Sequence, residues 1–289
     1  MNWLLVVEQC LNGLQFGVML FLIAAGLTLV FGIMNLVNLA HGSLYMLGAY
    51  FAATVQLYTG SFLLALLVAL PATALVGLVL EVATLRTLYA RDHLDQVLCT
   101  FGLILFLNEL VRIVWGPVPL RMNLPDALAG SVDIMGIRYP SFRLAIIVAG
   151  VLVALFLYVL ITRTRLGMLI RAGASDRMMI GALGVDIKRL YTLVFALGAA
   201  LAGFAGMMAG PILAVQVGMG DYILILTLVV IVIGGIGSVR GAFIAALLVG
   251  VVDTFGRVLL PPALAQIGIY VVMAAVLFWR PRGLFPAHG

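Results

Sequence analysis

Residues 10–33 read CLNGLQFGVMLFLIAAGLTLVFGI, without a single charged side chain. A bilayer core needs about 20 consecutive apolar residues in helical form. In hydrocarbon each backbone N–H and C=O must find its partner inside the segment, so the run is predicted to span a membrane as a helix. Comparable runs follow at 41–58, 61–85, 95–115, 142–162, 190–213, 222–238, 241–258 and 264–280. The runs 222–238 and 241–258 are short and flank a glycine-rich break, so they read as two spans or as one span plus a re-entrant segment. The 33–41 connection is a second weak boundary. The expected fold class is an all-α polytopic membrane protein of about eight to nine transmembrane helices, nine being favoured, with Gly/Asn-rich breaks and a short helix in its largest basic loop. One transmembrane domain is expected over 1–289.

Composition agrees. Hydrophobic residues make up 65% of the chain and charged residues 9%, where a soluble domain carries about a quarter charged residues. The first basic residue is Arg86. Without a basic n-region, the N-terminal run is read as a retained span and not as a cleaved signal peptide. The net charge of +5 marks the ends of apolar runs and forms no dense patch beside stacking aromatics, so no nucleic-acid partner is expected. Cys10 and Cys99 fall on apolar segments, and no Cys/His cluster has metal-ligand spacing. No carboxylate pair or Ser/His pairing suggests an enzyme, and no cofactor is expected. A proton relay would want several acidic or histidine residues in mid-span, and these are missing.

Charge sets the sidedness. With the C-terminus inside, the cytoplasmic connections hold Arg86, Arg91, six basic residues of 163–189, Arg240, Arg280 and Arg282: eleven basic residues against five on the other side. That is the positive-inside pattern, and it leaves the N-terminus outside. The outer loop 116–141 reads as an ordered cap containing a small hairpin.

The longest basic segment, RTRLGMLIRAGASDRMMIGALGVDIKR at 163–189, predicts a short helix over about Ser175–Leu183. Ser175 would cap it, with Asp176 in the favoured first turn. Met178, Met179, Ala182 and Leu183 would form an adaptable apolar face, and Gly184 would stop it. So short a helix needs a surface to sit on. Two readings stand: docking on a cytoplasmic partner, or lying on anionic membrane lipid.

Two breaks interrupt the apolar pattern. Gly234, Gly235, Gly237 and Ser238, before Arg240-Gly241, form either a path-lining turn, since irregular backbone is tolerated beside a wet cavity, or a tight turn between spans. The spacing is not that of a dinucleotide fingerprint. Asn35, Asn38 and His41 form a polar cluster in an apolar context. They suit either a zwitterionic solute passing a broken helix or a capped turn, with Asn38 capping a helix that starts near His41. Leu27 to Gly42 also echoes Leu226 to Gly241 at constant offset, which is either an internal repeat or chance. Glu81 and Glu109 are expected to pair with Arg86 and Arg112 near span ends, and Asp253 with Arg257 at i,i+4. Ala199, Ala202, Gly203, Gly206 and Gly210 form a small-residue stripe for close helix packing, against this chain's own bundle or against a partner.

Four of these segments, in order, resemble the branched-chain amino-acid ABC-importer permeases, the Liv-type inner-membrane subunits. They are GLTLVFGIMNLVNLAHGSLYMLGAY at 26–50, the loop from Arg171-Ala172 through Asp176-Arg177 and Ala182-Leu183-Gly184 to Lys188-Arg189, IGGIGSVRGAFIAALLVG at 233–250, and RPRGLF at 280–285. The loop departs from the general permease consensus: Arg171-Ala172-Gly173 stands where Glu-Ala-Ala is typical. The resemblance implies a bacterial inner-membrane permease for branched-chain or hydrophobic amino acids, with urea, short amides and aromatic acids as variations. It implies a homologous second permease, two cytoplasmic ATPase subunits and a periplasmic substrate-binding protein. It makes 171–184 the ATPase-coupling motif. No G-x-x-x-x-G-K-[ST] loop is present, so this chain is not expected to supply the ATPase. The rival readings are a stand-alone secondary carrier or channel, and a membrane protein whose basic loop recruits a partner or lipid.

Overall fold

The computed structural model describes residues 3–89, 91–134 and 136–285. Each of the nine predicted apolar runs coincides with a helix. These are α1 (Trp3–Met34), α2 (His41–Thr59), α3 (Phe62–Ala83), α4 (His93–Trp115), α5 (Ser141–Arg163), α8 (Ile187–Ala209), α9 (Met219–Gly234), α10 (Val239–Leu259) and α11 (Pro262–Trp279). Two short helices, α6 (Arg165–Ser175) and α7 (Arg177–Ala182), fold the basic loop, and strands β1 (Ser131–Ile134) and β2 (Ile137–Pro140) make the hairpin. The strands pair antiparallel, with Ile134 opposite Ile137. On length and composition six helices can cross a membrane: α1, α3, α4, α5, α8 and α10. At 16 residues, α9 spans about 24 Å at 1.5 Å per residue, less than a bilayer core of about 30 Å.

Helix α1 begins seven residues before the apolar run that predicts it. Glu8, Gln9 and Asn12 interrupt the hydropathy but not the helix, because the backbone bonds stay internal. Asn12 Oδ1 accepts from Tyr139 at 3.2 Å and from Arg143, tying this end of α1 to the hairpin. Boundaries elsewhere follow local chemistry. Ser61 caps α3 by accepting from Leu64 N at 3.3 Å, and Asp186 caps α8 by accepting from Arg189 N at 3.1 Å.

Burial separates centre from periphery. In α1 83% of the apolar window lies inside the protein, and in α8 67%, against 17–22% for α3, α4 and α5. Leu152, Leu155 and Phe156 on α5, like Leu105, Phe106 and Ile113 on α4, are exposed. Outward leucine and phenylalanine faces on long helices are what lipid accepts. The centre is closed by small residues. A Cβ on Gly203 or Gly206 of α8 would run into Thr73 or the backbone of Tyr45, so the small-residue stripe packs inside this chain's own bundle. Helix α1 packs chiefly on α10, while α2 packs on α8, α3 and α9. If α1–α2 corresponds to α9–α10, as the sequence echo suggests, the α1–α10 and α2–α9 contacts exchange with each other.

Candidate functional site

The two breaks lie at the same end of the bundle. In the first, α1 stops at Met34 and Asn35 turns the chain with φ 51, a left-handed value uncommon for a non-glycine residue. Residues 35–38 are irregular and α2 opens at His41 after Ala40. Asn38 is not the cap of α2. Its Oδ1 accepts from Ala40 N at 3.1 Å, an Asx turn before the helix. In the second break, α9 ends at Gly234, Gly235 and Gly237 take φ 99 and 79, and Ser238 caps α10 by accepting from Gly241 N at 3.1 Å. The 222–258 region is thus two helices, α9 and α10, joined by a tight turn.

Three openings surround these breaks. A cavity of about 350 Å³ is lined by Asn35, Gly173, Ser175, Arg177 and Gly237 among others. A polar cleft of about 270 Å³ lies on the other side of Asn35, between Arg91, Asp92, His93, Gln96 and Arg177. A groove of about 890 Å³ runs between α1, α5, α6 and α10 past Arg171, Gly237, Ser238 and Arg240. The sequence-chosen residues therefore divide. Asn35, Gly237 and Ser238 face open volume. Asn38 and His41 are 1% and 0% exposed and line none of the three, and Gly234 and Gly235 are buried behind the turn. His41 packs on Gly26, where an added Cβ would stand 3.0 Å from Nε2.

The basic loop folds as an elbow. Ser175 closes α6, and Asp176, not Ser175, caps α7: its Oδ1 accepts from Met178 N and Met179 N, both at 2.9 Å. A carboxylate can serve both amides at once, so the cap moves one residue beyond the one predicted. Met178, Met179 and Leu183 are 82%, 60% and 77% exposed, with Ala182 also outward and Ile180 buried beneath. Gly184, at φ 86, stops the helix where expected. Arg171, Ala172 and Arg177 are exposed, Arg171 toward the groove and Arg177 toward both smaller openings.

The elbow is anchored through α8. Glu81 pairs with Arg86 as expected, at 3.2 Å near the end of α3, and its carboxylate is fully buried. It also accepts from Thr192 at 2.7 Å and from the Tyr89 hydroxyl. Burial, then the bond to Glu81, pushes the Tyr89 phenol far above its usual range, so it remains a donor. Asp253 and Arg257 meet at 2.7 Å, and Arg257 reaches the Tyr222 hydroxyl at 3.0 Å. Glu109 and Arg112 pair on the surface at 3.4 Å.

Two features had no reading from sequence. Gln96, buried on α4, accepts from Val37 N at 3.4 Å and donates to the carbonyls of Leu88 and Arg91. It staples the first break to the α3–α4 link. The RPRGLF segment folds back on the second break, where Leu284 N and Phe285 N donate to Ile233 O and Gly234 O at 2.8 and 3.0 Å. A Cβ on Gly235 would sit 2.8 Å from Phe285 O. The only hint was that both segments belong to one set of motifs.

No solved structure matches the chain. Residues 9–277 match the family model described as branched-chain amino acid transport system / permease component. The chain is 31% identical to the high-affinity branched-chain amino acid transport system permease protein BraD of Pseudomonas aeruginosa, over 96% of this chain and 95% of that one. It is 27% identical to the permease protein LivH of Escherichia coli, covering 98% and 96%. To LivM of the same organism it is 29% identical, covering 92% of this chain and 67% of LivM. A match along nearly all of a multi-pass membrane chain, with both breaks inside it, means that the chain belongs to the family of permease components of branched-chain amino acid transport systems.

Proposed function

We propose that this chain is one of two homologous permease subunits of an ABC importer in a bacterial inner membrane, and that it carries branched-chain or related hydrophobic amino acids. Separate cytoplasmic ATPases would drive it, and a periplasmic binding protein would deliver substrate. The observation that carries this reading is the elbow. It presents an outward, apolar, Met-rich surface on a capped helix, beside arginines and at the end where both breaks open. An exposed face of this kind on a helix too short to be stable alone calls for a partner surface. The pairing is supported by similarity to both LivH and LivM of one organism. The elbow end is then cytoplasmic, as is the C-terminal segment folded onto it. The translocation path would pass the cavity shared by Asn35 and Gly237, with Ser238 on the adjoining groove that Gly237 also lines.

Reconstitution into liposomes tests this. The chain alone should take up no branched-chain amino acid, with or without an ion gradient. Uptake should require a second permease, both ATPases, ATP and loaded binding protein. Gradient-driven accumulation by this single chain would overturn the reading in favour of a secondary carrier.

A further inference from the structure

The groove of about 890 Å³ between α1, α5, α6 and α10 has two chemically distinct parts. In one, Arg171 of α6 and Arg240 of α10 line the same groove. Neither guanidinium has a carboxylate within ion-pair distance among the described residues. Arg240 lies 5.3 Å from the Tyr158 ring centroid, a cation–π placement that holds it over α5. The hydroxyls of Ser175 and Ser238 border the same end. Among the described residues, no acidic side chain lines the groove. Farther from the arginines along the helices the wall is Ala154 of α5 with Phe21 of α1 and Phe243 and Ile244 of α10, continuous with the exposed apolar faces of α5 and α10. Two unneutralised cations at the mouth of an apolar trough that opens onto the outward surface suit an amphiphile with an anionic head.

We propose that this groove binds one anionic phospholipid. Its phosphodiester sits between Arg171 and Arg240, and an acyl chain lies in the trough between α5 and α10. A small soluble zwitterion would satisfy one guanidinium with its carboxylate, but would set its ammonium against the other and leave the apolar trough empty. Basic pockets between transmembrane helices recognise phospholipid head groups through this combination. The site rests on the chain's being a membrane protein and not on which solute it carries, so failure of the importer reading would leave it standing.

The full-length chain, purified in mild detergent, is incubated with equimolar phosphatidylglycerol and phosphatidylcholine of matched acyl length. Retained lipid is then read by native mass spectrometry. Wild type should retain phosphatidylglycerol with a preference of about thirtyfold, the size two arginines produce at a membrane surface. R171Q/R240Q should lose that preference, and each single variant should lose part of it. R163Q/R165Q changes two arginines just outside the groove and should keep it. Millimolar inorganic phosphate should leave the bound lipid in place. Equal loss in both double variants would mean diffuse surface attraction and would overturn the proposal. So would displacement by phosphate, or an unchanged preference in a monodisperse R171Q/R240Q.

Discussion

Thr192 of α8 donates its hydroxyl to Glu81 of α3 at 2.7 Å, a contact between residues 111 positions apart. The same carboxylate holds Arg86 at 3.2 Å, so one buried group joins α3, the turn after it and α8, which leaves the elbow. Hydrogen bonds to a charged group are worth about 1.5–3 kcal/mol each, and Glu81 accepts them from Arg86, Tyr89 and Thr192. Thr192→Val removes only one of these. Glu81→Ala should therefore lower thermal stability in detergent far more than Thr192→Val. Equal, small shifts would show that the cluster contributes little.

The seam between α2 and α8 leaves no room for side chains at Gly48, Gly203 and Gly206. Gly203→Val should abolish monodisperse protein, since overpacking a closed helix contact forces the backbones apart. Gly102 on α4 has nothing within 4 Å of an added Cβ. Gly102→Ala should leave the yield intact and stabilise by up to about 1 kcal/mol through helix propensity. Size-exclusion profiles of the two variants, side by side, distinguish them.

Asp176 holds α7 by two backbone amides. Asp176→Ala should cost about 1 kcal/mol locally and reduce stimulation of the partner ATPases by loaded binding protein, while Asp176→Asn should restore most of it. Ala182→Arg puts a bulky charge into the proposed docking face and should uncouple hydrolysis from uptake. Normal stimulation in Ala182→Arg would place the ATPase contact elsewhere.

Asn35 lines two openings, while Asn38, three residues on, is 1% exposed. In a background with Cys10 and Cys99 replaced, Asn35→Cys should react with a small water-soluble thiol reagent and Asn38→Cys should not. The reactivity of Asn35→Cys should change when nucleotide binds the assembled complex. Reaction at Asn38→Cys alone would move the path to the buried side of the break.

The helices were legible because hydropathy and helix length are local properties: each of the nine apolar runs is a helix, though only six of these are long and apolar enough to cross a membrane, against the nine crossings favoured from sequence. The hairpin and the Asp253–Arg257 pair were legible for the same reason. Which glycines face open space and which seal a seam was not, because that depends on helices far apart in sequence. Gly234 and Gly237 sit in one motif, yet one is buried and the other lines two openings. Asn38 and His41 looked like Asn35 by composition, and only burial separates them. The cap moved from Ser175 to Asp176 because both residues suit the position and the competition turns on backbone geometry. The fold-back of Leu284 and Phe285 onto the second break left no trace in hydropathy.

Helix α1 is first in the sequence and ends up enclosed on almost every side, with α10 as its main partner. Between the end of α1 at Met34 and the start of α10 at Val239 lie some 200 residues. At about 5–20 residues per second, roughly 10–40 seconds of synthesis separate them. Through that interval α1 stands in the bilayer with Gly13 and Gly17 uncovered, the residues that later meet the backbone of α10. The centre of this protein is therefore laid down long before the helix that closes it, and a ribosome that stalls before residue 239 leaves an open seam for the quality-control proteases of the membrane.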